Sequence, residues 1–365
     1  MIIEQLQLKN FRNLNLTVDF STQVNFIIGQ NASGKSNFLD ALNFLYRGES
    51  FKPFGDTENI NWDEKNDFAL LTAKFQENSN AYKVVFSPGT NTNIKKFLIN
   101  EKSTTRKNFI KNKSVVVFSP HHLNIIAGVP EDRRSDLDKF LIQIDFHYEN
   151  ILKRYKQIIT NRNRLLEKIQ AGFANESELI FWNEKLVEAG SLIIQKRLQL
   201  FQEFDPVLDA SAEELFHAKG DFTLSYHSKI AIRDNDISTI EQSFAAKLAE
   251  NSYKEIAAGR TLYGPQRDDW EMHLDGNSIK IYASRGQQRI ASLILKYAQW
   301  KFLSEKTEQT PVILLDDIFS ELDQENAANL KNFFLKLDTQ LFFTSITIND
   351  HQQKSHLETK IIKLD

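Results

Sequence analysis

The sequence predicts an α/β fold built from the two ends of the chain, with a helical lobe inserted between them. Three features carry this expectation. Residues 24–28 (VNFII) form a short apolar run that enters a glycine-containing loop and then an amphipathic stretch over 35–46. Residues 311–315 form a second apolar run, closed by Asp316 and Asp317. Between them, residues 147–170 and 179–204 carry apolar side chains at spacings of mostly three and four. Apolar runs of four or five residues suit strands of a parallel sheet buried on both faces, and three-four spacing suits helices with one buried stripe.

The loop after the first run is Gly29-Gln30-Asn31-Ala32-Ser33-Gly34-Lys35-Ser36, which matches every fixed position of G-x-x-x-x-G-K-[ST]. A strand that feeds a helix through such a loop aims backbone N–H groups and the helix N-terminus at phosphates. Phe38, Leu39, Leu42 and Leu45 supply the apolar face of the helix that must follow. The pattern therefore predicts a nucleoside triphosphate site, with Lys35 reaching the β- and γ-phosphates and Ser36 on Mg²⁺. A P-loop needs a second carboxylate for the metal. Asp316 stands at the C-terminal end of its strand, where α/β sheets place ligands, and is the expected Mg²⁺ partner. Asp317 follows as the group to orient or activate the attacking water.

A third element lies upstream of the second strand. Ser284-Arg285-Gly286-Gln287 opens a stretch in which Ile290, Leu293, Ile294, Tyr297 and Ala298 keep helical spacing. Taken alone, the pattern serves equally as an ordinary helix cap or as an anion site at a helix N-terminus. Its place before an apolar-Asp-Asp strand is the signature arrangement of ATP-binding-cassette ATPases, and Ser320-Glu321-Leu322-Asp323 stands where they carry the D-loop. Ser284, Arg285, Gly286 and Gln287 thus join the expected nucleotide contacts.

In the middle of the chain, the two amphipathic stretches are separated by Gly172 and Asn175-Glu176-Ser177, which predicts a helical hairpin. A strand is expected within 221–232 and a further helix over roughly 238–257. The expected division is an ATPase domain of residues 1–130 and 259–365 around a helical lobe of 131–258. Two basic runs stand out: Lys153, Arg154, Lys156, Arg162, Arg164 and Lys168 on the first hairpin helix, and Lys95, Lys96, Lys102, Arg106, Lys107, Lys111 and Lys113 earlier. Each is either a solvated face or a surface for nucleic-acid backbone.

Composition bounds the rest. Of 365 residues, 41% are hydrophobic and 25% charged, the proportions of a folded globular protein. Zero cysteines exclude disulfides, thiol nucleophiles and cysteine-based metal sites. A net charge of −3 confines any nucleic-acid surface to local patches. No apolar run approaches a membrane span, and Met1-Ile2-Ile3-Glu4-Gln5-Leu6 lacks the basic and apolar regions of a secretory signal, so a cytoplasmic protein is expected.

With these motifs in order, the chain resembles the RecF family of SMC-related ATPases, and the resemblance runs over nearly its whole length. Leu8-Lys9-Asn10-Phe11-Arg12-Asn13 resembles the family's N-terminal strand and NFRN turn, and Gly48-Glu49-Ser50-Phe51-Lys52 its GxSFR element. Val116-Val117-Phe118-Ser119-Pro120 and Gly128-Val129-Pro130-Glu131-Asp132-Arg133-Arg134 match its central stretch. Tyr263-Gly264-Pro265-Gln266-Arg267-Asp268-Asp269 resembles its YGPHRDD box, and residues 314–323 (LLDDIFSELD) complete the set. There are departures. Gln266 replaces the usual His, Asn326 stands where Arg often follows the D-loop, and Thr344-Ser345-Ile346-Thr347 lacks the His of transporter H-loops. His351 is the nearest His, and the Gln-loop has no clear counterpart near residues 119–122, so the γ-phosphate sensor is unassigned.

The resemblance implies a P-loop, ABC-type ATPase head whose helical lobe is an SMC coiled coil cut to a stump. It implies a weak, DNA-dependent ATPase of recombinational repair that dimerises with ATP, Ser284 and Gly286 of one chain completing the site of the other. It also implies binding to single-stranded and gapped or duplex DNA, RecR and RecO as partners in loading recombinase, links to replication restart and the SOS response, and a nucleoid-associated place in the cytoplasm. A transporter ATPase subunit is the alternative, but there the signature follows the P-loop far sooner. A nuclease of the overcoming-lysogenization type would need a further domain after Asp323, for which the chain has no room.

Overall fold

A computed structural model of the chain describes residues 1–52, 56–61, 68–88, 94–307, 309–345 and 357–364. They pack as two compact units, Met1–Leu123 with Leu295–Asp365, and Asn124–Ile294. The strands in chain order are β1 (Ile3–Phe11), β2 (Leu14–Asp19), β3 (Val24–Ile28), β4 (Ala69–Phe75), β5 (Asn78–Ser87), β6 (Ile94–Ile99), β7 (Lys102–Thr104), β8 (Val115–Phe118), β9 (Phe222–His227), β10 (Asp269–Leu274), β11 (Asn277–Ser278), β12 (Val312–Leu315), β13 (Leu341–Ser345) and β14 (Thr359–Lys363).

The first unit holds two sheets. One is antiparallel, in the order β2-β1-β4-β5-β6-β7. The other has the order β14-β3-β13-β12-β8, and every pairing in it is parallel. Strands β3, β8 and β12 are buried along their whole length, as the apolar runs require. Their register fixes the site. Leu315 pairs with Phe118 and Phe343, and Ile28 with Ser345, so Gly29 and Asp316 leave the sheet at the same edge. The helix Lys35–Arg47 buries Phe38, Leu39, Leu42 and Leu45, as its spacing predicts. An aromatic core of Phe11, Phe44 and Phe86 packs edge to face beneath it.

The second unit contains the hairpin helices Phe146–Gln170 and Leu179–Phe216, the helices Pro130–Ile144, Ile237–Glu250 and Ser252–Ala258, and a small antiparallel sheet in the order β11-β10-β9. Gly172 turns the hairpin at φ 80°, and Asn175 and Glu178 form a reciprocal cap before the second helix. At 25 and 38 residues these are short arms.

Three expectations differ from the structure. The second hairpin helix is expected to end near Phe204, but it continues past Pro206 to Phe216, because Leu208, Ala212 and Leu215 carry its buried stripe onward. The single helix over 238–257 is two helices broken at Asn251. The lobe does not close at residue 258: residues 259–294 pack with it, since β10 pairs with β9 along six residue pairs.

Candidate nucleotide site

The P-loop is shaped by close backbone approaches. A Cβ on Gly29 would lie 2.3 Å from Ser33 Oγ and 2.6 Å from Leu364 O, so no side chain fits there. Gly34 caps the helix at φ 100°, a conformation that favours glycine, with the Asn13 amide 2.8 Å from where a Cβ would stand. The Lys35 ammonium donates to Gly29 O at 2.6 Å and Gln30 O at 2.8 Å, so it is folded back over its own loop. Ser33 Oγ is shut off from solvent with no hydrogen-bond partner among the described residues.

Ser36 and Asp316, 280 residues apart, meet directly: Ser36 Oγ donates to Asp316 Oδ1 at 2.9 Å. Thr344 Oγ1 lies 3.2 Å from the same oxygen and accepts the Asp317 N–H at 2.8 Å. Burial pushes the Asp316 carboxyl above the usual carboxylate range, opposed by the two hydroxyls and by the Lys52 charge. Asp317 is exposed and sits in the left-handed region at φ 48°. A buried carboxylate beside a hydroxyl at a P-loop is the oxygen donor set a hard divalent cation takes. The glycine-lined loop and the unsatisfied Ser33 hydroxyl fit a phosphate chain. The residues present therefore fit ATP and Mg²⁺.

A support layer, not assigned a site role from the sequence, stands behind the loop. Arg12 donates to Asp40 Oδ2 at 2.6 Å, Asn37 Oδ1 at 3.0 Å and Asn59 Oδ1 at 2.9 Å. Ser50 Oγ and the Phe51 N–H also donate to the Asp40 carboxylate. Lys52 donates to Asn37 at 2.7 Å, and burial, followed by the Arg12 charge, pulls its ammonium below the ordinary lysine value. The NFRN turn and the GESFK element thus converge on Asp40, one turn into the P-loop helix. That convergence, with Thr344, is the part sequence reasoning missed. Helical spacing could have found Asp40, which follows Ser36 by four residues.

The signature segment lies in the other unit. Ser284 caps the helix Arg285–Thr307: its hydroxyl accepts the Gln287 N–H at 3.3 Å, and Gln287 Oε1 accepts the Ser284 N–H at 2.8 Å. Ser284, Arg285, Gly286 and Gln287 are all exposed, and a Cβ on Gly286 would meet open space. Beside them, Ile281 and Tyr282 are 68% and 74% exposed. In the D-loop, Asp323 caps the helix Gln324–Phe334 and also accepts from the Asn326 amide at 2.7 Å. His351 and residues 346–347 fall outside the described residues.

The boxes 128–134 and 263–269 meet inside the second unit. Arg133, 1% exposed, pairs in a fork with Asp269, and Asp268 accepts from Tyr226 and Ser228. Gln266, the departure from His, is hydrogen-bonded to Tyr155. The basic runs are thinner than they read. Arg162 is buried and ion-paired with Glu255, and Lys113 is buried among Phe75, Tyr82 and Phe109. Neither faces a nucleic acid. Lys156, Arg164, Lys168, Lys96, Lys102, Lys107 and Lys111 are exposed. Among the described residues, no helix is long and apolar enough to cross a membrane.

The chain matches known proteins over nearly its whole length. A family model described as the RecF/RecN/SMC N terminal domain matches residues 2–363. The chain is 34% identical over 370 residues to the DNA replication and repair protein RecF of Halothermothrix orenii, covering all of this chain and 96% of that one. A solved structure of the recombination mediator protein RecF with ATP, in the RecFOR pathway, superposes at a TM-score of 0.85 with 29% identity, covering 96% of this chain and 93% of the other. The Smc head domain of Pyrococcus furiosus shares the fold at a TM-score of 0.51 and 17% identity, covering 95% and 90%.

Proposed function

The chain belongs to the RecF family, within the RecF/RecN/SMC group of ATPases, and from that premise we propose that it is an ATP-dependent DNA-binding protein of replication and recombinational repair. The observation that carries the reading is the Ser36–Asp316 contact, which unites the two halves of a metal-nucleotide site from opposite ends of the chain. Bound there, Mg²⁺ would polarise the γ-phosphoryl group of ATP and offset its negative charge.

The chain's own groups divide that task. Lys35 would exchange the Gly29 and Gln30 carbonyls for the phosphates and place its charge there. The backbone N–H groups of residues 30–36 cradle the anion, and Ser33 Oγ gains the partner it lacks. Ser36 and Asp316 would hold the metal. Thr344 holds both Asp316 and the Asp317 amide, which fixes where the Asp317 carboxylate can orient water. The exposed signature cap completes the site of a second copy, so ATP acts as the link in a homodimer that grips DNA and releases it on slow hydrolysis. Single-strand gaps or junctions are the proposed DNA sites, and RecR and RecO the proposed partners. The transporter reading is not favoured, since the whole-length relatives are RecF proteins.

Fluorescence anisotropy on a gapped duplex tests this. Affinity should rise at least tenfold with ATP and Mg²⁺ in the wild type and not in Lys35→Met. Equal affinity with and without nucleotide would refute the reading.

A further inference from the structure

A cluster of side chains of metal-ligating type, none of them assigned to the nucleotide, lies on the small sheet of the second unit. His227 on β9 and Glu271 and His273 on β10 each present one donor atom, and these atoms lie within 4.8 Å of one another. The sheet explains why. In the β9–β10 register, Ser225 stands opposite Glu271, His227 opposite Asp269 and His273 opposite Thr223. Alternation turns Trp270 and Met272 inward, so Glu271 and His273 share the outer face with Ser225 and His227. His227 is exposed, and the other two are half-buried.

The imidazoles already converge. Ser225 Oγ lies 3.0 Å from His227 Nε2 and 2.8 Å from His273 Nε2, so both ring nitrogens aim at one point. A single hydroxyl proton can satisfy only one of them, so the other ring must present an N–H to the oxygen. Glu271 brings a carboxylate to the same place, Oε2 lying 4.0 Å from His227 Nε2. Ser278 Oγ donates to the same Oε2 at 3.0 Å and orients the carboxylate, as outer-shell partners of metal ligands do.

We propose that His227, Glu271 and His273 form a binding site for a zinc-class divalent transition metal that clips β9 to β10. Two imidazoles and one carboxylate select zinc, cobalt or nickel over magnesium or calcium, which prefer all-oxygen sites. At ligand bond lengths of about 2.0–2.2 Å, the donors must close to roughly 3.4 Å apart. Small side-chain rotations reach that, once Ser225 yields its position between the rings. Three protein donors leave a coordination position on the exposed side for water. The ion would tie β9 to the strand that leads, through Ser278, to the signature segment.

Isothermal titration of zinc into chelator-treated, tag-free protein tests the site, with cobalt absorbance as an independent readout of tetrahedral nitrogen–oxygen ligation. The wild type should bind one ion per chain at micromolar affinity and show the strong visible band of four-coordinate cobalt. His227→Ala combined with His273→Ala should abolish both. Glu271→Gln, which keeps the carboxylate's shape, should weaken binding at least tenfold. Ser278→Ala should weaken it about 10–100-fold, and Ser225→Ala should retain it. All these side chains lie at the sheet surface except Ser278, and circular dichroism checks the fold of each variant. No zinc uptake by the wild type would overturn the proposal. So would unchanged stoichiometry and affinity in the double-histidine variant or in Glu271→Gln.

Discussion

Asp316→Asn should move the protein in opposite directions with and without nucleotide. The amide is isosteric, and its oxygen can still accept from Ser36 Oγ at 2.9 Å and Thr344 Oγ1 at 3.2 Å. Without ligand, the wild type carries a buried carboxylate whose pKa is raised by burial. For an acid the sign is unfavourable at neutral pH: the carboxyl's contribution is fully present below its unfolded value of about 3.9 and is lost as pH rises through the folded value. Asp316→Asn should therefore raise the melting temperature of the apo protein at pH 7.5, and the gain should shrink as pH falls toward about 4. With ligand the order reverses. The P-loop unit spans about 190 residues, so its unfolding entropy is about 0.4 kcal/mol per degree. ATP and Mg²⁺ at a hundred times Kd stabilise by about 2.7 kcal/mol, or about 7 °C. A metal ligand lost at a tenfold to hundredfold cost in Kd cuts that shift to about 1–3.5 °C. Differential scanning fluorimetry reads both arms. A lower apo melting temperature with the full ATP shift retained would make Asp316 a structural residue and refute the assignment.

Lys35→Met removes the cation from the phosphates, whose charge-assisted hydrogen bonds are worth about 1.5–3 kcal/mol each; a fluorescent ATP analogue should bind at least tenfold more weakly, and unchanged affinity would sink the P-loop role. Ser284→Arg should leave ATP binding by the monomer intact, because the side chain is exposed and its hydrogen bonds are to Gln287 of its own helix; sedimentation should show loss of the ATP-dependent dimer, and a wild-type dimer would contradict the shared site. Lys113 is lowered by burial to about 6. A depressed lysine costs most stability below that value and progressively less as pH rises toward the unfolded value of about 10.4. Against that, methionine loses the hydrogen bond that the amine donates to Leu45 O at 3.3 Å, a net contribution of about 1 kcal/mol. Lys113→Met should thus stabilise by about 3 kcal/mol at pH 7 and by little at pH 10, and urea melts showing a pH-independent effect would contradict the burial argument.

What was legible in the sequence was what is contiguous. The P-loop, the Asp316 strand and the Ser284 cap each lie within a few residues of chain, where residue type and spacing carry the chemistry. The Arg12–Asp40–Ser50 convergence and the Thr344 bridge depend on strand order, which no local pattern encodes. The lobe boundary was misplaced for the same reason, because β10 pairs with a strand more than forty residues upstream. Arg162 is different. It stands four residues after Ile158 and three before Leu165, on the buried stripe itself, so periodicity already marked it as an inward charge seeking a carboxylate. Reading it with its basic neighbours hid that.

The central claim is that nucleotide at the Ser36–Asp316 site joins two copies of the chain. Gel filtration with multi-angle light scattering, with and without ATP and Mg²⁺ in the presence of gapped DNA, tests it most directly. The wild type should shift from monomer to dimer mass only with ATP, and Lys35→Arg should stay monomeric. A wild-type mass that does not respond to ATP, or a Lys35→Arg protein that dimerises as the wild type does, would contradict it.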